Sequence, residues 1–101
     1  MNPDELLRSL DRPTPPPDLP PVLEALWHDA RGDWDAAHEV VQSMASRAAA
    51  HVHAYLHRKE GDLPNADYWY RRAGVGRPDA GLAEEWRDLV VRLVDETSTG
   101  R

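Results

Sequence analysis

Apolar residues recur at spacings of three and four along most of the chain, which is the period of amphipathic helices. Five such runs follow one another between Val22 and Val94 and predict helices starting near residues 22, 34, 46, 63 and 79. A shorter run over Asp4–Leu10 predicts two further helical turns. Gly32-Asp33 and Gly61-Asp62 separate neighbouring runs, because glycine suits the residue after a helix end and aspartate caps the next helix.

One helix boundary is weakly signalled. The stretch from Trp34 to Glu60 contains neither glycine nor proline, so it is compatible with one long helix. We expect instead a turn near Ser43–Ser46, with Ser46 capping the following helix. The internal repeat described next is the reason for this preference.

The two Gly-Asp pairs belong to a repeated unit. Gly32–Ala37 and Gly61–Ala66 align at an offset of 29 residues, and the apolar positions on either side recur in phase. The paired positions are Ala25 with Ala54, His28 with His57, Trp34 with Leu63, Val40 with Trp69 and Val41 with Tyr70. A helical hairpin cannot bury its apolar face alone, so two copies are expected to stack and share a core.

Residues 23–44 and 52–73 resemble tetratricopeptide repeats. The shared pattern is a helix, then Gly-Asp, then an aromatic residue or leucine, then alanine at the fifth position after the glycine. Met44 replaces the last alanine of the first copy, and the period of 29 is shorter than the usual period of about 34. The tryptophan near the start of the consensus repeat is missing from both copies. The proline that closes a repeat appears only as Pro78, which is out of position. The resemblance implies an all-α fold of two stacked antiparallel hairpins, to which we add a capping C-terminal helix.

A second resemblance covers most of residues 20–90. The runs 25–28, 32–39, 52–62, 65–66, 68–74 and 84–86 are similar to a family of short uncharacterised bacterial proteins. This resemblance implies a helical fold and no particular activity.

The helices divide the chain into three parts. Residues 1–21 form a proline-rich N-terminal arm, residues 22–96 a helical repeat domain, and residues 97–101 a flexible tail. Six of the nine prolines lie between Arg12 and Pro21, so this stretch is expected to be extended, as a linker or a strap over the body. Pro13–Pro16 also has the PxxP spacing of a polyproline ligand, which is the less favoured interpretation.

Composition narrows the classes of function. The formal charge of −6 disfavours nucleic acid and anionic membrane surfaces as partners. The absence of cysteine excludes disulfides, thiolate metal sites and cysteine nucleophiles. No apolar run approaches the roughly 20 residues that span a bilayer, and residues 1–10 do not form a signal peptide, so the cytoplasm is the expected location.

The five histidines suggest a metal site. His53 and His57 lie one helical turn apart, and the repeat superposes Glu24 and His28 on them. If the first and third repeat helices pack side by side, these four residues converge and could bind a divalent transition metal such as zinc. His38, Asp33 and Glu60 are then candidates to orient the imidazoles. The favoured alternative is a structural network, in which histidines near helix C-termini donate to Asp33 and Asp62.

The preferred function is a protein- or peptide-binding module, because arrays of helical hairpins present grooves for such segments. Tyr68, Arg58, Arg71 and Arg72 are the candidate contacts, and a partner with an acidic segment would suit them. The alternative is a histidine-rich metal-binding protein or metal-dependent enzyme. No catalytic residue is assigned and an enzyme is not preferred, since nucleophile-elbow, phosphate-loop and HExxH patterns are absent. The oligomeric state stays open.

Overall fold

The architecture is all-α, as predicted. A computed structural model describes residues 2–99, which form six helices and no strand. The helices are α1 (Pro3–Ser9), α2 (Pro21–Ala30), α3 (Trp34–Val41), α4 (Arg47–Glu60), α5 (Leu63–Ala73) and α6 (Leu82–Thr99). The expected flexible tail, residues 97–101, overlaps the end of α6, and its last two residues lie outside the described residues.

The two Gly-Asp pairs form equivalent turns. Gly32 and Gly61 adopt φ values of +85° and +91°, which residues with a Cβ atom rarely tolerate. The side chain of Asp33 accepts the Ala36 N–H at 3.0 Å, and that of Asp62 accepts the Asn65 N–H at 3.3 Å. Each pair therefore ends one helix and caps the next.

The weakly signalled break also exists. Helix α3 ends at Val41 and α4 begins at Arg47. Ser46 Oγ accepts the Ala49 N–H at 3.1 Å, so this serine caps α4 as expected. The uninterrupted helix that was the alternative does not form.

The helices pack as two pairs, with a main core to which α5 does not contribute and a smaller cluster of Ala54, Ala66 and Tyr70 between α4 and α5. Helix α2 packs against α3 and α4 against α5, while α4 also contacts both α2 and α3. The core contains Leu6, Leu23, Leu26, Trp27, Val41, Val52, Leu56, Leu89 and Leu93. Helix α4 is the most central element, because residues on most of its faces are buried.

The last helix packs on both hairpins. Helix α6, the expected capping C-terminal helix, lies mainly against α2 of the first hairpin and α4 of the second. The indole N–H of Trp86 donates to the Leu26 carbonyl at 2.9 Å, and Leu89 and Leu93 are buried. The apolar stripe of α6 thus fits the surface that these two central helices share.

The N-terminal arm is tied to this body. Leu6 on α1 is fully buried in the main core, and the indole N–H of Trp27 donates to the Ser9 carbonyl at 3.3 Å. Residues 12–20 contain no helix, but they include bends at 12–14 and a turn at 17–18, so the stretch is not extended throughout as expected from the prolines. No helix among residues 2–99 is both long enough and apolar enough to cross a membrane.

Candidate metal centre

Three imidazoles meet where α3 packs on α4. His38 comes from α3, and His53 and His57 come from α4. One ring nitrogen of each lies within 4.8 Å of one in each of the other two rings. The closest pair is His38 Nε2 and His53 Nε2, which are 3.0 Å apart. In the absence of an ion, one of these two nitrogens must carry a proton and donate to the other.

Two tryptophans stack on the imidazoles of the cluster. The Trp34 ring stacks on His38 with centroids 4.8 Å apart, and its N–H is anchored on the Leu56 carbonyl at 2.8 Å. The Trp69 ring stacks on His53 with centroids 4.0 Å apart. Because both indoles restrict ring rotation, the imidazoles are preorganised.

Glu60 fixes the orientation of one imidazole. Its Oε1 lies 2.6 Å from His57 Nδ1, and the Asn65 side-chain nitrogen lies 3.3 Å from His57 Nε2. This network assigns the proton to Nδ1, because the carboxylate accepts there and the Asn65 amide donates to Nε2. A carboxylate on the far nitrogen of a histidine is the usual support for a metal ligand.

The surroundings favour the neutral form of two of the three imidazoles. Burial, followed by the neighbouring His57 and His38, lowers the pKa of His53 to about 4. Burial and then His57 also lower the pKa of His38. Metal binding needs deprotonated imidazoles, so no proton has to be displaced from these two at neutral pH.

One buried atom of the cluster is unsatisfied. His53 Nδ1 has no hydrogen-bond partner, and His53 is only 4% exposed. A buried polar atom in this state is unfavourable. The donor set nevertheless suits a metal, since nitrogen ligands about 2.0–2.1 Å from zinc in a tetrahedral site stand roughly 3.3 Å apart. The observed separation of 3.0 Å between His38 and His53 is close to that value.

Only half of the predicted ligand set takes part. His53 and His57 are in the cluster, but Glu24 and His28 pair with each other on α2, with His28 Nε2 3.3 Å from Glu24 Oε2. Among the described residues, neither belongs to a group of three potential ligands that are mutually close. His38, which we expected to orient the ligands, supplies the third imidazole instead.

The expected structural network is also arranged differently. Asp33 and Asp62 use their carboxylates as helix caps, and the histidines bond to Glu24 and Glu60 instead. His57, Glu60 and Asp62 form a second group of potential ligands, but both carboxylates are exposed. The cluster of three histidines is therefore more buried than this second group.

The candidate partner contacts are spread over different environments. Tyr68 is 45% exposed and accepts a hydrogen bond from Arg72 at 3.3 Å on the outer side of α5. Arg58 instead forms an internal ion pair with the buried Glu85 at 2.7 Å. Arg71 is exposed and has no side-chain partner among the described residues.

Comparisons with known proteins returned no relatives. No family model, curated protein or solved structure matches the chain. The resemblances to tetratricopeptide repeats and to short bacterial proteins stay predictions.

Proposed function

We propose that the protein binds one late first-row transition-metal ion, such as zinc, through His38, His53 and His57. The observation that carries this proposal is the convergence of three imidazole nitrogens from two different helices. Magnesium and calcium are poor candidates, because they prefer oxygen ligands. Imidazole ligands suit zinc, copper and nickel.

Three properties support the proposal. The indoles of Trp34 and Trp69 hold two of the rings in place, so little side-chain entropy is lost on binding. Glu60 hydrogen-bonds the Nδ1 side of His57 and leaves Nε2 as the ligand atom once Asn65 gives way. The third property is the lowered pKa of His38 and of His53, which keeps both imidazoles in the form that binds metal at neutral pH.

The ion would connect the two helix pairs. His38 belongs to the first pair and the other two ligands to the second. A ligand that binds only the folded state stabilises it by about 2.7 kcal/mol at a hundred times its Kd. The proposed role of the metal is thus structural, because the bound ion would strengthen the contact between α3 and α4.

Metal titration of the untagged protein tests the proposal. We expect one zinc ion per chain by calorimetry, and a loss of affinity of more than about tenfold in His38→Ala. His38 is only partly buried, so its replacement should leave the fold intact. His28→Ala is the matched control, because His28 sits on α2 paired with Glu24 and should have no effect on affinity.

Two results would contradict the proposal. One is substoichiometric zinc, copper and nickel binding by the unmutated chain. The other is an equal loss of affinity in His28→Ala and His38→Ala, which would favour the ligand set expected from the sequence.

The protein-binding function expected from the sequence has weaker support. Its candidate contacts are already engaged in part, since Arg58 is paired with the buried Glu85 and Arg72 donates to Tyr68. Helix α6 also packs on α2 and α4.

A further inference from the structure

A second potential site lies beside α5 and the loop that follows it. There a cavity of about 620 Å³ is bordered by Arg58, Asp67, Tyr70, Arg71 and loop residues 75–79, which include Arg77. None of the three clustered histidines lines it. Its volume is in the range of about 300–1,000 Å³ that is usual for small-molecule sites.

The three guanidinium groups differ in their free hydrogen-bond donors. Arg58 is used internally, since it donates to the buried Glu85 and to the Ala80 carbonyl. Arg77 Nε lies 3.2 Å from Asp67 Oδ1, so the terminal Nη groups of Arg77 are left free to donate hydrogen bonds. The Arg71 side chain has no partner among the described residues. Arg71 and Arg77 therefore provide the unused donors at this cavity.

The nearby acidic groups do not compete for all of these donors. Glu85 is 3% exposed and is already bonded to Arg58 and to the Tyr70 hydroxyl, at 2.7 and 2.6 Å. Asp67 Oδ1 lies 3.2 Å from Arg77 Nε, and both side chains are partly exposed. The remaining acidic residue of the lining, Asp79, is exposed to solvent. The chain has a formal charge of −6, so two guanidinium groups with unused donors at one cavity contrast with its overall negative charge.

We infer that this cavity binds a small molecule bearing a carboxylate or phosphate group, which Arg71 and Arg77 hold together. Guanidinium groups bind such oxyanions through paired, charge-assisted hydrogen bonds. The Arg58–Glu85–Tyr70 network forms a fixed wall, because its polar atoms satisfy one another. The site is separate from the proposed metal centre and needs no metal.

Anion titrations followed by NMR of the arginine Nε–H groups test the inference. Inorganic phosphate and citrate serve as probes at constant ionic strength, and each reports one of the two oxyanion types. We expect saturable shifts at Arg71 and Arg77 with at least one probe, with a Kd of about 1 mM or lower. Arg71→Gln and Arg77→Gln should each weaken binding about tenfold, as expected for the loss of a charge-assisted pair.

Arg72→Gln is the matched control. Arg72 adjoins Arg71 in sequence but contacts Tyr68, and it does not line the cavity. An equal loss of binding in Arg72→Gln would reveal nonspecific attraction to surface charge and would overturn the inference. The absence of saturable shifts with both probes would overturn it too, as would tighter binding of a glutamate-rich peptide than of either probe.

Discussion

Replacing Gly61 with alanine tests the equivalence of the two Gly-Asp turns. Gly61 ends α4 at φ +91°, and an added Cβ atom would meet nothing within 4 Å. The cost of Gly61→Ala is therefore conformational only, about 1–2 kcal/mol for an L-residue in the left-handed region. Gly32 has φ +85° and also nothing within 4 Å of an added Cβ atom, so Gly32→Ala should lower the free energy of unfolding by the same amount.

Thermal unfolding followed by circular dichroism at 222 nm provides the assay. For a domain of this size, each variant should lower Tm by about 4–8 °C per kcal/mol. Gly76→Ala is the control, because its Cβ atom would also meet nothing within 4 Å but Gly76, in the loop after α5, has no positive φ. It should be neutral or slightly stabilising. If Gly61→Ala proved as stable as Gly76→Ala, the turn assignment would be refuted.

Three further predictions concern the site, the core and the buried tyrosines. Glu60→Gln weakens the carboxylate support of His57, and calorimetry should show a loss of metal affinity of about 10- to 100-fold. Leu6→Ala empties a fully buried position, so urea unfolding should show a loss of about 2–5 kcal/mol if the N-terminal arm belongs to the core. Burial, followed by Asp29 at Tyr55 and by Glu85 at Tyr70, raises the pKa of both phenols. Because the folded state then holds these protons more tightly than the unfolded chain, the contribution of the two phenols to stability should be constant below about pH 10 and fall above it. Absorbance at 295 nm and urea unfolding at pH 8 and 11 check this, and equal stability at both values would contradict it.

The sequence predicted the local structure well, because local signals determine it. The left-handed glycines, the aspartate caps and the Ser46 cap each act within a few residues. Apolar periodicity was sufficient to place α2 to α5 on either side of these turns.

Packing between helices was harder to predict. The repeat placed the first and third repeat helices side by side and so led to His28 as a ligand. Helix α4 in fact contacts both α2 and α3, and the cluster forms on the α3 side with His38. Local signals predict the turn before Ser46 but do not determine which face of α3 packs on α4. An apolar stripe likewise does not identify the surface that α6 covers.

Zinc K-edge X-ray absorption on the stoichiometrically loaded, untagged protein tests the metal centre most directly. We predict three imidazole nitrogens at about 2.0–2.1 Å from the ion, and two in His38→Ala. A shell made only of oxygen atoms, or a spectrum unchanged by His38→Ala, would contradict the assignment of His38, His53 and His57 as the ligands.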